Sequence, residues 1–161
     1  MKAPELIQMA GDADLSRLLM MLVDINDFEV GKHIPRKIPV DRCLTMPPYR
    51  DNVEALAGLY REGVKLPPIQ VVKLVIAWEA FYAISDGNHR IHASRLANLR
   101  YIWAYVDCTH CIPSLEPYRI WNGMLWQKDG PRYRSHGYVL KEPEIRLLAA
   151  LGIKVVEYIG R

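Results

Sequence analysis

Apolar positions recur with a helical period at Leu15, Leu18, Leu19, Leu22 and Ile25, behind Asp12 or Asp14 as a cap, and predict a helix over 12–27. Two prolines and a cluster of bases make 31–39 a connector. The segment Ile38-Pro39-Val40-Asp41-Arg42-Cys43-Leu44 is extended and leads into a Pro47-Pro48 turn. Asp51 can cap a second helix with Val53, Leu56, Ala57 and Tyr60 inward and Gly63 at its end. The run from Ile69 to Ile76 is β-branched enough for a strand, with Phe81–Ser85 as hairpin partner. A third helix starts near Asn88, with Ile91, Ala93, Leu96 and Ala97 inward and Asn98 in a left-handed cap. Tyr101–Val106 is a strand.

Residues 113–141 show no clear period. Beyond them Pro143 fits a first helical position, Ile145, Leu148 and Ala149 form an inner face, and Gly152 stops the helix. Lys154–Ile159 closes as a strand. This order of short helices and strands predicts an α+β fold, a mixed sheet flanked by short helices, in one domain spanning 1–161.

Composition changes little. A chain of 161 residues that is half hydrophobic and a quarter charged is globular, and its net charge of +3 names no partner. The charge is uneven, acidic before residue 35 and basic after residue 117, so a phosphate or nucleic acid would meet the C-terminal face. No apolar run is long enough to span a membrane and no signal peptide is evident, so a cytoplasmic protein without a membrane partner is expected. Three cysteines argue against a disulfide framework.

The chemistry concentrates in Asp86-Gly87-Asn88-His89-Arg90, between a strand and a helix. Gly87 permits a tight turn and a close ligand approach. The helix N-terminus favours an anion, and His89 and Arg90 add donors. Asp86 has the wrong sign for phosphate unless it holds Mg²⁺ or takes a proton from a hydroxyl. The plain alternative is a surface turn in which His89 and Arg90 pair with neighbouring acids.

From Ile38 to Val106 the order of elements resembles the ParB/sulfiredoxin superfamily. The likeness is carried by Leu66-Pro67-Pro68-Ile69-Gln70-Val71 and by the block from Tyr82 to Ala93, over a core of about 36–107 with an α/β extension over 113–161. The resemblance implies a bound nucleotide (ATP, ADP or CTP with Mg²⁺), with Gly87, Asn88, His89 and Arg90 around its phosphates. Asn88 stands where sulfiredoxins carry their catalytic cysteine, so repair chemistry through that residue is not expected. The chain is too short for the further domains of a partition protein. The Asp-Gly-x-His-Arg form looks closest to the kinase-like members, which implies Asp86 as base or metal ligand and His89 as a catalytic partner in a phosphotransferase or NTPase. The alternative is a DNA- or RNA-binding module without catalysis.

Other candidates have bland readings beside the sharp ones. Asp41 is a weaker second acid, more simply a solvated strand end. Cys108-Thr109-His110-Cys111 lacks the further ligands of a zinc site and reads as two ordinary thiols. His33 and His92 read as solvated side chains. Between 118 and 138, aromatics alternate with bases. Trp121 and Trp126 are expected in the core, and Arg132 and Arg134 are expected to form a phosphate-facing, nucleic-acid-binding patch.

Overall fold

The computed structural model describes residues 28–30, 34–45, 52–76, 78–112 and 114–159. The expected helix over 12–27, the Pro47-Pro48 turn and the Asp51 cap lie outside these residues. Ten strands and three α-helices follow one another among them. They are β1 (Phe28–Val30), β2 (Arg36–Pro39), β3 (Cys43–Leu44), α1 (Val53–Arg61), β4 (Ile69–Ile76), β5 (Glu79–Asp86), α2 (Asn88–Leu96) and β6 (Tyr101–Ile112). The chain continues through β7 (Tyr118–Trp121), β8 (Met124–Asp129), β9 (Arg132–Val139), α3 (Glu142–Leu151) and β10 (Lys154–Val155).

Two sheets result, and the fold is α+β as expected. The larger has the order β1-β6-β4-β5-β3, with β2 also paired to β6. It is mixed, because β4 runs parallel to β6 and antiparallel to β5. The smaller has the order β10-β7-β8-β9, an antiparallel meander whose first strand also pairs in parallel with β10. Among the described residues no helix is long and apolar enough to cross a membrane.

Alternation along the larger sheet divides its side chains between two cores. Ile69 and Val71 of β4, with Ile84 of β5, pack with Ile91 of α2. Leu74, Ile76, Phe81 and Ala83 take the other face, against Ile120, Leu125, Leu147 and Leu148 of the C-terminal half. Strand β6 serves both cores because of one extra residue. Val71 pairs with Val106 but Val72 pairs with Cys108, so Asp107 is a bulge. Before it, Ile102, Ala104 and Val106 face the helices. After it, Ile112 faces the meander.

Several expectations are corrected. The segment 38–44 is two short strands separated by a 3-10 turn at Val40–Arg42. Strand β6 runs six residues beyond Val106, because the bulge lets it continue along β4. The regular part of the last strand is only Lys154–Val155. In α2, Leu96 is exposed, and buried Ser94 takes the inner position by donating its hydroxyl to the Ile91 carbonyl at 2.6 Å. In α3, Ala149 is exposed and Leu147 is inward. Buried Glu144 accepts from the Lys141 N–H at 2.9 Å and from the Tyr138 hydroxyl at 3.2 Å. Asn98, with φ 57°, adopts the left-handed cap conformation expected of it.

The aperiodic stretch holds the meander, over 118–139. Its first turn is Asn122-Gly123, with φ 51° and 70°, which matches the right-handed twist of the flanking strands. Trp121 and Trp126 are half-buried rather than core residues. Their ring centroids lie 5.5 Å apart, and their indole N–H groups donate to the Glu157 and Trp121 carbonyls.

Deleting Asp107 would turn Cys108, His110 and Ile112 to the opposite face. The deletion is expected to abolish the cooperative thermal transition followed by circular dichroism. Asp107→Asn, which keeps the residue count, is expected to stay within about 0.5 kcal/mol of the parent.

Candidate functional site

Strand β5 ends at Asp86, and the chain turns through Gly87 at φ 102° into α2. Two constraints fix glycine here. The first is the left-handed backbone. The second is the neighbour, since a Cβ on Gly87 would stand 2.5 Å from Ile69 Cγ2 and 2.9 Å from Ile69 Cβ. Ile69 is fully buried at the start of β4, so it cannot move aside cheaply. The bare Gly87 backbone therefore packs directly on β4, and the N-terminus of α2 comes to the end of the sheet.

Arg90 locks this arrangement. Its Nη1 donates to the carbonyls of Pro67 at 2.6 Å and Pro68 at 3.1 Å, and its Nη2 lies 3.4 Å from Asp86 Oδ2. The Arg90 side chain is 18% exposed and the Asp86 side chain 70%. Arg90 thus points back at the strand entry and at its neighbouring acid, while the Asp86 carboxylate stands in solvent. At the far end of α2, Arg95 reaches the Cys43 carbonyl and the Thr45 hydroxyl and ties the helix to β3. Burial lowers the pKa of Arg95. Nothing in the linear sequence separates Arg95 from a surface base, because its partners lie 50 and 52 positions away.

The turn opens on a cleft of about 360 Å³ lined by Asn52, Ser85, Asp86, Gly87, Asn88 and His89, with Arg90 and two apolar side chains at its sides. All five residues of the expected motif are therefore brought together. The first turn of α2 contains no acid, so no carboxylate within the helix offsets the positive end of its dipole. A metal at Asp86 would have one carboxylate and would need its other ligands from a bound nucleotide and water, the usual manner of Mg²⁺. Among the described residues no group of three or more His, Cys, Asp or Glu could hold a metal by itself.

The remaining candidates lie elsewhere. Arg132 and Arg134 are both exposed on β9, opposite Asp129 and Gln127, and neither lines this cleft. Asp41 is exposed in the 3-10 turn. Cys108 and Cys111 lie within β6, where side chains three apart point to opposite faces, so they cannot bridge or share a metal. Burial raises the Cys108 thiol pKa, with Asp107 adding to the effect. Cys43 is fully buried and its thiol is pushed up to about 12, chiefly by burial.

No family model matches the chain, and no curated protein does. Among solved structures the chain is similar to the C-terminally truncated chromosome-partitioning protein ParB from Caulobacter crescentus complexed with CTP-gamma-S. The identity is 26% and the TM-score 0.39, and the likeness covers 45% of this chain and 43% of that one.

Two outcomes follow from this geometry. Gly87→Ala is expected to destabilise the fold by about 2 kcal/mol or more, measured by urea unfolding, from the left-handed backbone and the Ile69 clash together. Ellman titration of the native protein at pH 8 is expected to show Cys111 reacting first and Cys43 only on unfolding. Early reaction of Cys43 would contradict its burial and raised pKa.

Proposed function

We propose that the cleft at the N-terminus of α2 binds the phosphates of a nucleotide. The observation that carries this reading is Gly87, left-handed and packed on Ile69 with no room for a side chain. It sits at the mouth of a cleft toward which a helix dipole points. Gly87 also lines that cleft, where the main-chain groups that open α2 suit a bulky anion. The sequence resemblance to nucleotide-binding turns points the same way.

Within this reading Asn88 and His89 contact phosphate oxygens from the first turn. Arg90 is mainly an organiser, since its guanidinium is already bonded to Pro67, Pro68 and Asp86; breaking the 3.4 Å Asp86 contact would turn one edge of it to the ligand. The nucleotide is ATP, ADP or CTP with Mg²⁺ held by its phosphates, and Asp86 would be a further ligand of that ion only where it is not itself the base. The finer proposal is phosphoryl transfer. The oxygen of water or of an acceptor hydroxyl forms a bond to the terminal phosphorus and the bond to the leaving phosphate breaks. The hydroxyl proton passes to Asp86, and His89 steadies the transferring group.

Isothermal titration with ATP, ADP and CTP in Mg²⁺ is expected to give heat of binding with at least one of them, and silence with all three would overturn the proposal. Asp86→Asn is expected to retain binding within a few-fold while lowering phosphate release or transfer by about a hundredfold or more. Equal turnover would remove Asp86 from the chemistry.

A further inference from the structure

A second cleft, of about 500 Å³, lies at the same end of the larger sheet and shares no lining residue with the first. Pro67 stands between them, lining the second cleft while its carbonyl accepts from Arg90. Strand alternation creates this cleft. Ile102 and Ala104 are buried on the helix side, so Tyr101 and Trp103 project from the other face of β6, 54% and 37% exposed. Lys37 is the cross-strand partner of Trp103. Lys65 comes over from the segment between α1 and β4. Its ammonium lies 5.2 Å from the indole centroid and that of Lys37 5.6 Å. Arg100 adds a third cation, and among the described residues no Asp or Glu lines the cleft.

Two ammonium groups gathered round one exposed ring, in a cleft that no carboxylate of the described residues lines, are not a stability device. Each cation–π contact at an exposed site contributes little, and the like charges repel. The arrangement is complementary to a ligand that brings both negative charge and flat π-faces. Tyr101 and Trp103 are two residues apart on a strand, a separation of about 6–7 Å. That offers two separate rings to successive bases of an extended strand, whereas a single nucleotide would use one. In a duplex the base faces are already stacked on each other and unavailable.

We propose that this cleft is a binding site for single-stranded nucleic acid, with Tyr101 and Trp103 stacking unpaired bases and Lys37, Lys65 and Arg100 holding the phosphates. It is independent of the nucleotide cleft. It is also a different surface from Arg132 and Arg134.

Fluorescence anisotropy with a labelled oligothymidylate of about twelve nucleotides tests it. The expected result is binding that weakens with salt, with a log–log slope of about −2 for three phosphate contacts. Trp103→Ala is expected to lower affinity about tenfold or more, and Trp103→Phe to restore most of it. The surface variant Lys37→Glu/Lys65→Glu, whose thermal melt reports folding separately, is expected to abolish binding. Arg132→Ala/Arg134→Ala is expected to bind like the parent, and duplex DNA or thymidine monophosphate at equal nucleotide concentration is expected not to displace the oligomer. The proposal is overturned if the parent does not bind at low salt, or if the lysine variant binds equally. Displacement by the monophosphate would make this a mononucleotide site, and loss of binding in the arginine variant would move the contact to β9. Either outcome overturns it too.

Discussion

The contact between Ile69 and the bare backbone of Gly87 is the constraint on which the end of the molecule that holds both clefts depends. A strand entering the sheet and a helix leaving it meet there at van der Waals distance, with no Cβ between them. The two prolines before β4 keep that strand from starting earlier as a helix, and they leave carbonyls that the sheet does not use. Arg90 takes up two of those carbonyls, so the same short segment that supplies Ile69 also fixes the helix against it. Arg95 then holds the last turn of α2 to β3. The helix is pinned at both ends, and its N-terminus faces a cleft because of where it is pinned.

This arrangement divides the labour among charged groups that look equivalent in the sequence. Arg90 and Arg95 are turned inward to carbonyls and a hydroxyl, while Lys37, Lys65 and Arg100 gather beside exposed rings. Asp86, projecting into solvent, provides a carboxylate at the α2 cleft, whereas among the described residues the second cleft has none. Pro67 sits between the two, one side toward the aromatic cleft and its carbonyl toward Arg90. The same sheet end therefore presents a helix N-terminus at one cleft and an aromatic, cationic surface at another, with Pro67 between them.

Much of the fold was legible because local physics and tertiary structure agree. The β-branched run from Ile69 to Ile76, the left-handed Asn98, the helix stop at Gly152 and the start of α2 at Asn88 all follow from propensity and turn chemistry. The motif from Asp86 to Arg90 was legible as a strand-to-helix turn, and the structure gives it a cleft. Its internal wiring was not, since the carbonyls that hold Arg90 lie more than twenty positions away. The meander could have been found from Asn122-Gly123, a strong hairpin signal that was hidden by the mixed aromatic and basic residues around it. The aromatic cleft had no linear signature at all. It needs Lys37, Lys65 and Trp103, brought together from three segments by the pairing of β2 with β6 and by the path from α1 to β4.

The bulge at Asp107 has a thermodynamic consequence. One continuous strand contributes side chains to the helix-side core through its first half and to the meander-side core through its second. Neither core can come apart without stripping apolar groups from a strand the other still requires. Hydrogen exchange in β6 is therefore expected to report global opening along its whole length, with the two cores opening together.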